Sequence, residues 1–186
     1  MPVATKMRSD ASRNHEAILT AAITVLAADP QASMGDVAHA SGIGRTTLYR
    51  HFPDRGALVA AIYERVLNEA DTISSQLLGR TGDDPIHILQ ELCVALAGLG
   101  DRYRFLEQHD ASATTTDPES VRRRGAPLHA FLRSAQRAGD ICDEVSADWL
   151  FTVLVALITE ASGHAFQDPE QRSQTLRATV RRVVAP

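Results

Sequence analysis

Apolar residues recur at helical intervals along most of the chain. Ile18, Leu19, Ala22, Val25 and Leu26 predict a helix over Arg13–Ala28, which Asp29-Pro30 ends. Ser33 opens a short helix to Ala40, and Asp36, three places on, completes a capping-box pattern in which each side chain meets the other residue's N–H. Gly42 is placed to take the left-handed conformation that closes this helix. Gly44 precedes a second short helix, 45–52, which stops at Pro53. Leu58, Ile62, Val66, Glu69 and Ile73 then lie along one side of a long helix from Asp54 to Leu78.

Gly79–Asp84 is the best linker candidate in the chain. Three later helix starts share one signature: Asp84-Pro85, Asp117-Pro118 and Asp168-Pro169. Asp caps the first turn, and Pro occupies a position where its missing N–H has no intrahelical partner to lose. Helices are predicted over Ile86–Leu99, Pro118–Ala138, Ser146–Phe166 and Pro169–Val184, with Pro127 expected to kink or split the second. Residues 1–12 are polar and charged and read as a flexible arm. With few β-branched runs and no repeat, the fold class is all-α.

Composition narrows the chemistry. A length of 186 residues, 44% hydrophobic and 23% charged, suits a globular protein of one good-sized or two small domains. The net charge of −4 argues against wholesale coating of nucleic acid. The charge is uneven, however. Up to residue 56, Lys6, Arg8, Arg13, Arg45, Arg50 and Arg55 slightly outnumber the acids, and the acidic excess belongs to the rest.

Cys93 and Cys142 sit in apolar surroundings without metal-ligand spacing and read as buried free thiols, so no metal and no cofactor are expected. His15, His39, His87, His109, His129 and His164 are scattered and form no catalytic motif, which argues against an enzyme. Arg122-Arg123-Arg124 reads as a solvated helix face. The start of the chain lacks a signal-peptide core, and its longest apolar run, Trp149–Ile158, is too short to span a bilayer. The expected location is cytoplasmic.

The 33–52 segment carries the strongest functional signal. Two short helices joined at a glycine turn suit a helix-turn-helix, whose second helix enters the DNA major groove. With Leu48 pointing inward, Phe52 falls about 40° away, and Thr46 and Arg50 fall roughly opposite, toward the groove floor. Thr47 and Tyr49 take the flanks, where phosphates lie, and Arg45 occupies the first turn. Arginine can pair with guanine O6 and N7, whereas hydroxyls and His51 suit phosphate contacts that fix register. Ser33 offers a hydroxyl and free backbone N–H groups to another phosphate. Arg55 extends the positive edge, and Lys6, Arg8 and Arg13 are placed to follow a neighbouring groove or phosphate.

Ser33, Val37-Ala38, the run Ser41–Arg55 and Leu58 together resemble the DNA-binding signature of tetracycline-repressor (TetR) family regulators. The resemblance covers about residues 13–60 by motif and the remainder by length and helical character. It implies a homodimer on a palindromic double-stranded DNA operator, usually a repressor, that leaves DNA when a small molecule occupies the C-terminal domain. By motif position it places Arg45, Thr46, Thr47, Tyr49, Arg50 and His51 on the family's DNA contacts. Arg55 stands where the family commonly has a phosphate-binding Lys, and Ser33 where Thr is more usual. Gly35 has no side chain where some members carry a base-contacting one.

The expected organisation is therefore a three-helix DNA-binding domain over residues 1–56 and a helical ligand-binding and dimerisation domain over 57–186. The helix containing Trp149–Ile158 is apolar on every side, so each face needs a cover. A second subunit would cover one face, with Leu176, Val180 and Val183 of the following helix completing a four-helix interface. Two-fold symmetry would then set the reading helices about one DNA turn, roughly 34–36 Å, apart.

On the other face, Trp149 and Thr152 would line a pocket with Leu89, Cys93 and Leu96, to which Tyr103, Phe105, His129 and Phe131 add edges. Such a lining favours a small, largely apolar effector, although the same residues also suit plain core. The long helix from Asp54 to Leu78 is the element through which a ligand would alter the separation of the reading helices. The alternative is a ligand-independent DNA-binding activator or architectural protein.

Overall fold

The computed structural model describes residues 3–108, 118–162 and 168–186. Helices α1 (Val3–Ala28), α2 (Met34–Ser41), α3 (Arg45–His51) and α4 (Arg55–Leu78) are followed by α5 (Pro85–Arg102) and a 3-10 helix, Arg104–Gln108. Then come α6 (Pro118–Ala138), α7 (Ala147–Ser162) and α8 (Pro169–Val184). No strand occurs among the described residues. No helix among them is long and apolar enough to cross a membrane.

The chain divides into two units, and the division falls inside α4. One unit runs to Val66 and takes in the segment that begins at Tyr103; the other begins at Leu67, runs to Arg102 and resumes with α6. Gly79–Asp84 is therefore a loop within the second unit, not a linker between the two.

In the first unit, Ile18, Leu19, Ala22 and Leu26 of α1 are buried, as are Met34, Val37 and Ala38 of α2, which packs on α1. Leu48 of α3, Phe52 just after it, and Leu58, Val59 and Ile62 of α4 add to the buried set. α1 reaches back to Val3, so the stretch expected as an arm is helical from there. Ala, Lys, Met and Arg in that stretch are strong helix formers, and no Gly or Pro interrupts them.

In the second unit α5 is central, packing on α7 and α8, while α6 packs on α7. Ile88, Leu89, Leu92 and Cys93 meet Leu132, Leu150, Leu154 and Val180 in one core. α6 passes through Pro127 unsplit. Burial of Leu128, Leu132 and Ala135 along one face holds the helix through the missing N–H. Asp84 Oδ1 accepts from Ile86 N at 2.9 Å, and Asp168 Oδ1 from Glu170 N at 3.0 Å, the caps that the Asp-Pro signature predicts. Asp117, and the expected end of α7 at Phe166, lie outside the described residues.

Two corrections concern charged and interface residues. Arg124 is mostly buried, its guanidinium paired with Asp71, so the arginine run is not wholly a solvated face. The 53-residue separation hides that pairing from a local reading. Leu176 and Val180 pack into this chain's own core and leave Val183 only half-buried, so the first two are not at an interface.

Candidate nucleic-acid interface

The turn and α3 are held by main-chain chemistry. Asp36 N donates to Ser33 Oγ at 3.3 Å, and Ser33 N donates to Asp36 Oδ2 at 2.7 Å, which is the reciprocal capping box. The Ser33 hydroxyl also donates to Asp36 Oδ2 at 2.7 Å. These bonds to Ser33 hold the Asp36 carboxyl below the usual carboxylate range, with a smaller contribution from the Arg45 charge. The Ser33 hydroxyl is thus engaged inside the cap.

Gly42 takes φ 67°, the left-handed region, and its N–H meets the carbonyls of Ala38 and His39. That conformation turns the chain from α2 into α3 within three residues. The Gly44 carbonyl then accepts from Thr47 N at 2.9 Å and Leu48 N at 3.0 Å to start α3.

The faces of α3 separate cleanly. Leu48 is fully buried and Phe52 nearly so, whereas Arg45, Thr46 and Arg50 are exposed. Tyr49 is 49% exposed, a high value for a large ring, and Thr47 is half-buried on the opposite flank. Thr46 and Arg50 therefore lie on the outer surface with Tyr49 beside them, as the helical wheel predicts.

Two expected phosphate ligands are turned inward. The His51 Nε2 is buried and has no hydrogen-bond partner among the described residues. The ring lies 5.9 Å from that of His15 and 6.4 Å from that of Phe52, centroid to centroid. Burial, then the neighbouring His15 and Arg50, push the His51 pKa below 6.5. Arg55 turns toward the end of α1, where its two terminal nitrogens donate to the carbonyls of Pro30 and Ala32. Both carbonyls lie in a turn that offers them few backbone donors, so the arginine fork serves the fold.

His15 was not singled out by the sequence, yet its ring lies 4.9 Å from Phe52. Its place three residues before buried Ile18, on the same face of α1, is the signal that could have found it. The side chains of Lys6 and Arg8 lie outside the described ones.

Of the nine expected pocket residues, seven belong to the second unit and two, Tyr103 and Phe105, to the first. Leu89 and Cys93 are close-packed core, with Leu96 and Phe131 packed against it. Burial pushes the Cys93 thiol up to about 12. Tyr103 and Phe105 are buried in the first unit, flanking the start of the 3-10 helix that contacts α1. Trp149 is 57% exposed and Thr152 is exposed beside it. His129 stacks on Phe151 at 4.0 Å between centroids, and its Nδ1 lies 3.1 Å from Asp148 Oδ1. A cleft of about 300 Å³ in the second unit lies between α4 and α6, and none of the nine lines it. Among the described residues no cluster of side chains could hold a metal ion.

A sequence model of the family described as "Bacterial regulatory proteins, tetR family" matches residues 18–62, the buried frame of this site. The HTH-type transcriptional repressor LfrR of Mycolicibacterium smegmatis is 46% identical over 166 residues, covering 89% of this chain and 86% of the relative. The chain belongs to the TetR family.

Solved TetR-family structures share its fold. A putative TetR-family regulator from Rhodococcus sp. superposes with a TM-score of 0.74 at 18% identity, covering 92% of this chain and 98% of that one. LfrR from Mycobacterium smegmatis, solved in complex with proflavine, superposes with a TM-score of 0.66. Its identity is 24% by structural superposition, lower than in the sequence alignment, with 91% of this chain and 94% of that one covered. As a TetR-family protein the chain is a helix-turn-helix regulator and not an enzyme.

Proposed function

We propose that this TetR-family protein is a transcriptional repressor that binds a palindromic operator as a homodimer and is released by a small effector. One observation carries the DNA-reading part: Arg45, Thr46, Tyr49 and Arg50 are exposed on a short helix whose Leu48 and Phe52 are locked into the unit beneath. Arg50 and Thr46 read base edges; Thr47, Tyr49 and the first-turn N–H groups of α2 contact phosphates. Similarity to a named repressor supports the sign of control.

Dimerisation is supported by α7, where Trp149 and Val155 are exposed at 57% and 41% beside exposed Ala156. Large apolar side chains left exposed on one helix favour burial against a second copy. Release is supported by the proflavine complex of the similar repressor, and the effector class is a small, largely apolar molecule bound in the second unit. Such a molecule acts only through different affinities for the DNA-bound and free arrangements.

The test is binding to the DNA flanking the protein's own gene at several salt concentrations, followed by titration with proflavine. Sequence-specific binding that falls steeply with salt, and release by proflavine, are expected. Binding indifferent to sequence would remove the operator assignment. A second reading, ligand-independent DNA binding, is favoured by the close packing of Leu89 and Cys93. It predicts the same salt-dependent complex with no response to any effector.

A further inference from the structure

Gly35 lies in the first turn of α2, where the fold does not call for glycine. Its backbone is not among the positive-φ glycines, which among the described residues are Gly42, Gly82 and Gly139. Alanine is the better helix former at a helical position. What fills the place of the missing methyl is the far end of Arg45. A Cβ at position 35 would stand 2.8 Å from Arg45 Nη2, 3.3 Å from Arg45 Cζ and 3.3 Å from Ser33 Oγ. The three nearest atoms all belong to side chains, and the closest is the tip of a flexible one. A methyl there would move Arg45 and leave the backbone in place.

We infer that Gly35 is a specificity-determining position, because it opens a seat across the first turn of α2 in which the Arg45 guanidinium rests. The inference rests on the DNA-reading function proposed above. Arg45 starts α3, so its Cα is fixed at the edge of the reading surface, and its long side chain decides where the charge is presented. Seated over Gly35, the guanidinium lies beside Ser33 and near Asp36, between the two helices of the motif. A fork held in one place loses less rotamer freedom on binding and meets one base step consistently. Unseated, it samples several. Gly35 is a positioning residue that acts through Arg45.

The experiment compares the full-length wild type with Gly35→Ala, Arg45→Ala and the double variant. Each protein is profiled against operator DNA with every base pair substituted in turn. Gly35→Ala is expected to melt at or above the wild-type temperature. It should bind the preferred operator about tenfold more weakly, the scale of one good base contact. Its altered preference should fall at the base pairs that Arg45→Ala relaxes. In the Arg45→Ala background the glycine substitution should change the profile less than about twofold. The salt slope should match wild type, since no charge is lost.

An unchanged Gly35→Ala profile, or an effect that persists without Arg45, overturns the inference while leaving the DNA-reading function intact. Absence of sequence-specific binding by the wild type overturns both.

Discussion

The Arg55 guanidinium donates to the main-chain carbonyl of Ala32, and through its other terminal nitrogen to that of Pro30. The first residue of α4 thereby closes the turn between α1 and α2. Replacing it with alanine leaves two carbonyls without these charged donors, at a cost of roughly 2 kcal/mol. Arg55→Ala should lower the stability of the protein in chemical denaturation while leaving the salt slope of operator binding unchanged. A phosphate ligand would do the reverse, reducing that slope by about one.

The division of labour proposed for α3 makes Tyr49 and Arg50 separable. Tyr49→Ala removes a flank contact and should weaken binding to all operator variants about equally, by roughly tenfold. Arg50→Ala should weaken the preferred operator by a similar factor and also flatten preference at one base pair. Anisotropy titrations across a set of single-base variants distinguish the two. Equal profiles for both substitutions would contradict the placement of Arg50 over the groove floor.

His51 gives the DNA-binding unit an acid sensitivity. Its folded pKa lies below 6.5, chiefly because the ring is buried. As pH falls through about 6.5 the unfolded chain takes up the proton first, so stability declines as pH drops toward the folded pKa and is flat above both values. The wild-type melting temperature should therefore fall more between pH 7.5 and pH 5 than that of His51→Gln. Parallel curves for the two proteins would refute the assignment.

α5 and α7 approach closely at Gly100 and Ser162. A Cβ at position 100 would stand 2.4 Å from Ser162 Oγ and 2.6 Å from Ser162 Cβ. Gly100→Ala should destabilise by roughly 1–3 kcal/mol through overpacking. Adding Ser162→Gly should restore part of that loss, because it removes both clashing atoms. A double variant no more stable than Gly100→Ala alone would point to a different origin.

The features legible in the sequence are those whose partners are close in the chain. Ser33 meets Asp36 three residues away, Gly42 closes the helix it follows, and Asp168 caps the turn it starts. Leu48 and Phe52 were recognisable as the inner face of α3 because helical periodicity needs no tertiary information. The pairings of Arg55 and Arg124 are not legible because their partners lie more than twenty residues away, and a surface arginine has the same local signature as a clamp. A ligand pocket is hard to read from the sequence for a related reason. Apolar stripes on α5 and α7 mark faces that need covering, but whether core or ligand covers them depends on how the helices pack. The contact between Gly35 and Arg45 needs the turn geometry, since neither residue type announces the other.

The buried Cys93 thiol has a practical consequence. The thiolate is the reacting species, and a group enclosed in the second unit with its pKa near 12 does not form it at neutral pH. A disulfide reagent must therefore wait until the helices around it separate, and its labelling rate then counts those openings. Half-exposed Cys142 supplies the reference rate on the same molecule. A compound that binds the closed second unit would slow labelling at Cys93 and spare Cys142. The chain carries its own clock, and an unidentified effector can be found by what it does to the timing.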